Sequence, residues 1–403
     1  MSFRARSMNR RSFTIAAGAG ASALAVGGVT LAGAQDATPA TDEAPGLPPL
    51  PEGASVVLAG LWNPRNVAIA DDGTIYVTEV GMGESFDPAP VAATPVAEGA
   101  TPAAEAAPAS TVGYTGQITQ IAPDGTVSVP VTGLASYSDG VGAVGITVLD
   151  GQVYFTVGGA AVGGGFEPLE GENGLYHFDP TTGEVAQIAE FNTYEIENNP
   201  DGTDVNPNIY GVTATPDGQL IVVDAGGNTL YSADPATGEF SLWAVVPNLT
   251  ELSGVPAAEG QEPRQAVPTS GAFDADGVYF QGLLSEGWPA EGASIVTVSD
   301  EAAFGPVVNG RSMVTGVAFG PDGNLYFSQL MDVFSQDAPP FGTIFRANVA
   351  DGSVEPVVEG LLMPHGIAFD GDGNLYVTTQ ALMSAPGAPA GQLVKVDGIA
   401  TPA

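Results

Sequence analysis

The chain contains no cysteine and few basic residues. The absence of cysteine excludes disulfides, cysteine-ligated zinc, iron–sulfur clusters and a cysteine nucleophile. Nine Lys and Arg stand against 46 Asp and Glu, which gives a formal net charge of −37 over 403 residues. Because so acidic a surface repels phosphate backbones and anionic lipid headgroups, we expect no binding to nucleic acid.

The few basic residues are concentrated at the N-terminus, where no acid precedes Asp36. The paired Arg10 and Arg11 precede a weakly apolar run, 13–32, that ends in small residues. This order predicts that residues 1–34 are a twin-arginine signal peptide and that the protein is exported to the cell envelope or the extracellular space. The alternative is an uncleaved membrane anchor, since the run is about long enough to span a bilayer. No later segment is long enough, so we expect no membrane span after signal removal.

Two segments have the composition of disordered chain. Residues 35–53 are rich in Pro, Ala and acidic residues, and they predict a flexible tether. Residues 83–112 contain a similar block and predict a disordered insertion between two strands.

A strand–turn–strand unit recurs along the rest of the chain. Each copy has a short apolar stretch, an Asp-Gly turn and an alternating aromatic and β-branched stretch. The turn glycines are Gly73, Gly151, Gly218, Gly277, Gly323 and Gly373. Asp-Gly tolerates the backbone angles of a tight hairpin, and the period of two is typical of half-buried strands. No single hairpin can bury its apolar face, so the copies must stack.

A second, looser hairpin follows most copies, and two hairpins make one four-stranded propeller blade. The last copy ends with a single further strand, 391–396, and lacks a fourth. Residues 54–61 resemble the blade-final strands, so we expect them to supply it and close the ring. The sequence therefore predicts an all-β fold, a six-bladed β-propeller over residues 54–398, closed by an N-terminal strand that joins the last blade. Residues 399–403 are a predicted tail, and we expect a monomer.

The best-preserved unit, PHGIAFDGDGNLYVT (364–378), resembles the units of NHL-type and gluconolactonase-like propellers. Together with the export signal and the stretch VVLAGLWNPRNVAIADDGTIYVTE (56–79), it makes the chain most similar to the ScyD/ScyE family. The resemblance covers roughly residues 54–398. It implies a secreted propeller and no established reaction, because propellers host many activities.

Residues near the ends of inner propeller strands can converge on the central channel. The repeat places these channel candidates there: Arg65, Asn66, Tyr210, Ser270, Thr315 and Gln329. Since the sequence contains no recognisable catalytic motif, we expect an exported scaffold that binds a partner protein or a small ligand, on one face or in the channel.

His365 supports an alternative, a metal-dependent hydrolase or lyase with an active site in the channel. Imidazole titrates near neutral pH, so it can act as a general base. Resemblance to streptogramin-lyase propellers implies that role for a channel histidine in a context like Pro364-His365-Gly366. The competing interpretation is that His365 only caps the channel, and that lyase type is expected to have seven blades.

A metal site is the second element of this alternative. Glu79 and Asp224 occupy equivalent repeat positions in separate blades, and with Asn66 they supply oxygen ligands suited to Ca²⁺ or Mg²⁺. Such a metal is implied by the resemblance to gluconolactonase-like propellers. The other blades carry no carboxylate at this position, so the ligand set is thin. The competing interpretation is that these side chains bind one another or channel water.

Overall fold

The computed structural model describes residues 49–83, 111–160, 169–253, 263–334, 339–385 and 387–402. The predicted signal peptide, most of the predicted tether and residues 84–110 of the predicted insertion lie outside the described residues. The described residues form six four-stranded antiparallel sheets, which confirms the six-bladed β-propeller.

The first strand, β1 (Ala54–Leu61), belongs to the last blade, and the first complete blade follows it. Blade 1 consists of β2 (Pro64–Ile69), β3 (Ile75–Glu79), β4 (Val112–Ile121) and β5 (Val127–Tyr137). Blade 2 consists of β6 (Ala143–Leu149), β7 (Gln152–Val157), β8 (Gly174–Phe178) and β9 (Val185–Glu190). Blade 3 consists of β10 (Ile209–Ala214), β11 (Leu220–Asp224), β12 (Thr229–Ala233) and β13 (Phe240–Val245).

The second half of the ring repeats this order. Blade 4 consists of β14 (Pro268–Phe273), β15 (Tyr279–Leu283), β16 (Ala293–Val298) and β17 (Phe304–Arg311). Blade 5 consists of β18 (Val314–Phe319), β19 (Leu325–Gln329), β20 (Phe341–Ala347) and β21 (Val354–Leu362). Blade 6 consists of β22 (Ile367–Phe369), β23 (Leu375–Thr379), β24 (Gly391–Val396) and β1.

The ring closes as the sequence predicts. β1 pairs antiparallel with β24, with Ala54 opposite Val396 and Leu61 opposite Gly391. Each inner strand contacts the inner strand of the next blade, and β22 of blade 6 contacts β2 of blade 1. The first and last parts of the propeller are therefore held in one sheet.

The hydrophobic core lies between neighbouring blades rather than at one centre. Val77 of blade 1 packs in one cluster with Leu393 of blade 6, and Tyr154 of blade 2 packs with Val222 of blade 3. Alternation along the middle strands sends side chains to both faces of each sheet, and both faces are covered by adjacent blades. No blade would be stable alone, since its apolar faces need both neighbours.

The described residues also form two short helices. α1 (Asn192–Asn198) connects blades 2 and 3, and α2 (Leu249–Ser253) follows blade 3. α1 ends at Asn199, which has a φ of 39° in the left-handed region and whose N–H donates to the Glu195 carbonyl. Among the residues that the structure describes, no helix has both the length and the apolarity to cross a membrane.

Candidate functional site

One residue at the start of each inner strand, or in blade 6 two residues before it, occupies the same position of the repeat. These six residues are here called the mouth ring: Arg65, Val144, Tyr210, Thr269, Thr315 and His365. They stand near the start of the inner strands, so their side chains converge on one end of the channel. Sequence analysis selected four of them as site residues.

Hydroxyl side chains on the neighbouring strands fix the backbone of this ring. Thr156 donates to the Tyr210 carbonyl at 2.6 Å, and Thr378 donates to the Arg65 carbonyl at 2.5 Å. Ser328 donates to the His365 carbonyl in the same way. Each bond joins one blade to the next, and the bonds of Thr378 and Ser328 are buried, so the scaffold holds the backbone of the channel residues.

The backbone just before several inner strands is strained. Asn63, Val267, Met313 and Met363 have φ between 42° and 54°, in the left-handed region that non-glycine residues seldom adopt. The following strand holds this geometry, since Leu284 N–H donates to the Val267 carbonyl at 2.9 Å. Strain of this kind costs roughly 1–3 kcal/mol per residue and is concentrated at functional sites.

A cavity of about 60 Å³ opens at this end of the channel. By volume it holds roughly four water molecules or one small polar group of a ligand. Its polar wall comprises five mouth-ring residues together with Asp139 and Asn208. Its apolar wall, here called the collar, comprises Val141, Ala225, Val267, Leu284, Trp288, Met313, Leu330 and Leu382.

A hydrogen bond crosses the channel beneath the cavity. The Tyr210 hydroxyl of blade 3 bonds to Nε2 of His365 of blade 6, and the ring centroids are 5.8 Å apart. Blades 3 and 6 lie opposite each other in a ring of six. The pair therefore joins two sides of the propeller at its centre.

His365 is neutral in this setting. Its Nδ1 lies 3.1 Å from the Arg65 carbonyl, which can only accept, so Nδ1 carries the proton. Nε2 is then the acceptor for the Tyr210 hydroxyl. Burial lowers the pKa of His365 well below its ordinary value, and the nearby Arg65 cation lowers it further. Burial also raises the pKa of Tyr210 to about 12, so both partners are uncharged near neutral pH.

Arg65 is the one cation among the residues that line the cavity. One of its terminal nitrogens, Nη2, donates to the Gly140 carbonyl, whereas its buried Nε finds no acceptor. No acidic side chain of the described residues forms an ion pair with it, although Asp139 lies near enough to act on its charge. Burial lowers the pKa of Arg65, and Tyr210 and Asp139 oppose that shift. The mouth thus holds a positive charge that is only partly compensated.

Two predicted channel residues turn away from the cavity. Asn66 donates through its side-chain amide to the Val144 carbonyl at 3.1 Å, and Ser270 donates to the Thr315 carbonyl at 2.8 Å. Both bonds connect adjacent blades. A third predicted channel residue, Gln329, lies at the end of β19. Its side-chain amide donates to Asp332 and accepts from the N–H of Ser312. These three residues stabilise blade junctions and loops of the described chain.

The two carboxylates of the predicted metal set, Glu79 and Asp224, each accept hydrogen bonds from nearby groups. Glu79 accepts bonds from the Trp62 N–H at 2.6 Å, from Thr119 at 2.5 Å and from Gln117 at 2.9 Å, and burial raises its pKa. Asp224 accepts three backbone N–H bonds through Oδ1, while its Oδ2 has no partner.

Glu79 and Asp224 lie at the ends of β3 and β11, in blades 1 and 3, and none of the hydrogen bonds above joins them to each other or to Asn66. Among the described residues, no group of three or more Asp, Glu or His side chains is arranged to hold a metal. The Ca²⁺ or Mg²⁺ site predicted from Glu79, Asp224 and Asn66 stays a prediction.

Sequence reasoning missed three contributors to the mouth. Asp139 and Asn208 lie in connections between blades, where no repeat pattern marks a position. Trp288, in the loop after β15, lines the cavity and packs against Phe334 with ring centroids 4.9 Å apart.

No protein-family model and no curated protein matches the chain. Among solved structures, a Bacteroides thetaiotaomicron protein of unknown function matches with a TM-score of 0.52 and 12% identity, covering 85% of this chain and 75% of that chain. A Thermus thermophilus protein, provisionally named an oxidoreductase (glucose dehydrogenase), matches with a TM-score of 0.50 and 15% identity, covering 85% and 98%. Virginiamycin B lyase from Staphylococcus aureus matches with a TM-score of 0.45 and 14% identity, covering 85% and 98%. At these identities the likeness to the first two structures concerns the fold alone.

Proposed function

We propose that the protein binds a small ligand at the channel mouth, with an anionic group of the ligand facing Arg65. This proposal rests on the buried guanidinium of Arg65. Its Nε has no hydrogen-bond acceptor, and no carboxylate of the described residues forms an ion pair with it. A buried cation costs free energy unless an anion or several acceptors satisfy it. A carboxylate is the group that best matches a guanidinium in charge and in planar shape.

The walls of the cavity define the rest of the ligand. Tyr210, Thr269 and Thr315 line its polar side, and the collar supplies its apolar side. A few polar groups at the base of an apolar pocket are typical of small-molecule sites. A cavity of about 60 Å³ admits one polar group of a ligand, so the apolar part lies against the collar.

A thermal-shift panel tests this function. Aliphatic and aromatic monocarboxylates are compared with their methyl esters, which keep the shape and lose the charge. We expect carboxylates to raise the Tm, esters to have no effect, and Arg65→Gln to abolish the shift. Arg346→Gln is the matched control, because Arg346 is an exposed arginine on blade 5 paired with Glu355. Equal shifts from acids and esters, or shifts that persist in Arg65→Gln, contradict the proposal.

Acid–base catalysis in the same mouth is a second proposal, supported by the neutral acceptor nitrogen of His365 beside the cavity. A ligand that displaces the Tyr210 hydroxyl would expose Nε2 as a general base for lactone hydrolysis or elimination. A pH-stat assay with simple lactones, with and without Ca²⁺ or Mg²⁺, measures it. Turnover that is lost in His365→Gln supports an enzyme, and no turnover in the wild type contradicts it.

We also propose export by the twin-arginine route and membership of the ScyD/ScyE family, both on the sequence features of residues 1–34 and 56–79. Mass spectrometry of the protein recovered from outside the producing cell tests export. A mature N-terminus near residue 35 agrees with a cleaved signal, and an intact N-terminus in the membrane fraction indicates an anchor.

A further inference from the structure

Blade 3 contains a group of buried oxygen atoms that lack hydrogen-bond partners. They are Asp224 Oδ2, Glu195 Oε1 and Oε2, Thr229 Oγ1 and the Tyr231 hydroxyl, here called the oxygen cluster. All four residues have a relative exposure of 0%. Buried polar atoms are nearly always paired, and the three carboxylate oxygens of this set are acceptors, so their lack of partners indicates a group that the protein binds.

The strand register and the surroundings of Gly227 show that these oxygen atoms lie close together. Asp224 and Thr229 are direct partners between β11 and β12, and Tyr231 lies two residues on, on the same face of β12. A Cβ added to Gly227 would lie 2.9 Å from Asp224 Oδ2 and 3.1 Å from Glu195 Oε2. The carboxylates of β11 and α1 therefore approach the same point beside the β11–β12 turn.

The charge of this region is negative. No Lys or Arg of the described residues forms an ion pair with Glu195 or Asp224. Both carboxylates are fully buried, and Asp201 and Asp204 add further negative charge close to Glu195. Two desolvated carboxylates with no counter-charge are costly, and a bound cation removes that cost.

We propose that the oxygen cluster binds one Ca²⁺ ion, held by Asp224 and Glu195. Ca²⁺ takes six to eight oxygen ligands, with carboxylates, other oxygen donors and water in flexible geometry. The cluster supplies oxygen atoms only, which suits a hard cation, and water completes the shell. The site differs from the metal set predicted from sequence, because Asp224 is partnered by Glu195 of α1 rather than by Glu79 or Asn66.

Such an ion would tie the blade 2–3 connection to blade 3. Glu195 lies on α1, whereas Asp224 is held by the N–H groups of Asn208, Gly226 and Gly227. Asn208 and Ala225 line the cavity at the channel mouth. Ca²⁺ bound here would therefore stiffen one wall of that mouth without entering it.

Isothermal titration of the EDTA-treated full chain with CaCl₂ tests the proposal. We expect one ion per chain with a Kd on the order of 10⁻⁴ M, as in extracellular modules with few charged ligands. Glu195→Gln and Asp224→Asn should each raise the Kd at least about tenfold, since each removes a ligand charge. Glu197→Gln is the matched control, because Glu197 is exposed on the same helix. Binding that is unchanged by Glu195→Gln, or only weak binding of many ions, overturns the proposal.

Terbium luminescence provides a readout that does not depend on those carboxylate variants. Tb³⁺ replaces Ca²⁺ in oxygen sites, and a nearby tyrosine sensitises its emission. We expect emission that excess Ca²⁺ quenches and that Tyr231→Phe reduces. Absence of tyrosine-sensitised emission contradicts a site here. Arg65→Gln should keep the full signal, which separates failure of this site from failure of the proposed ligand site.

Discussion

Replacing His365 with Gln should remove one component of the pH dependence of stability. Gln keeps hydrogen-bonding capacity but does not titrate. In the folded protein the pKa of His365 lies well below 6.5, because its ring is buried beside Arg65. In the unfolded chain the same ring has a pKa of about 6.5. Below that pH the unfolded state binds a proton at His365 that the folded state does not bind. The free energy of unfolding of the wild type therefore decreases as the pH falls.

The size of this component follows from linkage. One proton contributes about 1.4 kcal/mol per pH unit, so the wild type should lose about 2 kcal/mol relative to His365→Gln between neutral pH and about pH 5. Buried carboxylates with raised pKa, such as Glu79 and Glu195, act in the opposite direction, because their folded forms hold protons more tightly. They are common to both proteins and cancel in the difference.

The assay is urea unfolding of both proteins at several pH values, with the difference in free energy of unfolding plotted against pH. His177→Gln is the control for loss of a histidine, since His177 lies on β8 and bonds to Gln152. A difference that does not change with pH would refute the assignment of His365 as a neutral, buried ring. The same curve from His177→Gln would show that the effect does not arise in the channel.

Further predictions concern the scaffold that holds the site. Gly366→Ala should destabilise the protein by about 1–3 kcal/mol, because the added Cβ would lie 2.5 Å from the Arg65 carbonyl oxygen. Gly371→Ala, in the same hairpin, should be tolerated, because no atom lies within 4 Å of its added Cβ. Measuring the Tm of both variants tests this difference. Thr378→Val should cost about 1–3 kcal/mol in urea unfolding, because it removes the buried hydroxyl that donates to the Arg65 carbonyl of blade 1 at 2.5 Å; a neutral result would contradict the role of the inter-blade hydroxyl bonds. Deleting residues 1–61 removes β1 and should expose the edge of β24, giving oligomers in size-exclusion chromatography; a monomer of unchanged Tm would contradict closure by β1.

The fold was predictable because its signals are local and repeated. Asp-Gly turns, a period of two and a missing fourth strand together define six blades and their closure. The level of the mouth ring was also predictable, since equivalent positions of a repeat converge on the axis. Arg65, Tyr210, Thr315 and His365 were found for that reason.

Side-chain direction was the part that repeat spacing could not resolve. Arg65 and Asn66 are neighbours on one strand, so the pleat sends them to different sides, and only Arg65 reaches the cavity. Ser270 occupies the same position as Asn66, where the other four blades carry the glycines Gly145, Gly211, Gly316 and Gly366. Glu195 lies on a helix between blades, which no repeat aligns with Asp224.

A crystal structure with the carboxylate that raises the Tm most would test the central claim most directly. The claim predicts a carboxylate oxygen bonded to the Arg65 guanidinium within the channel mouth, and the apolar part of the ligand against the collar. A ligand bound elsewhere, with only water beside Arg65, would contradict it.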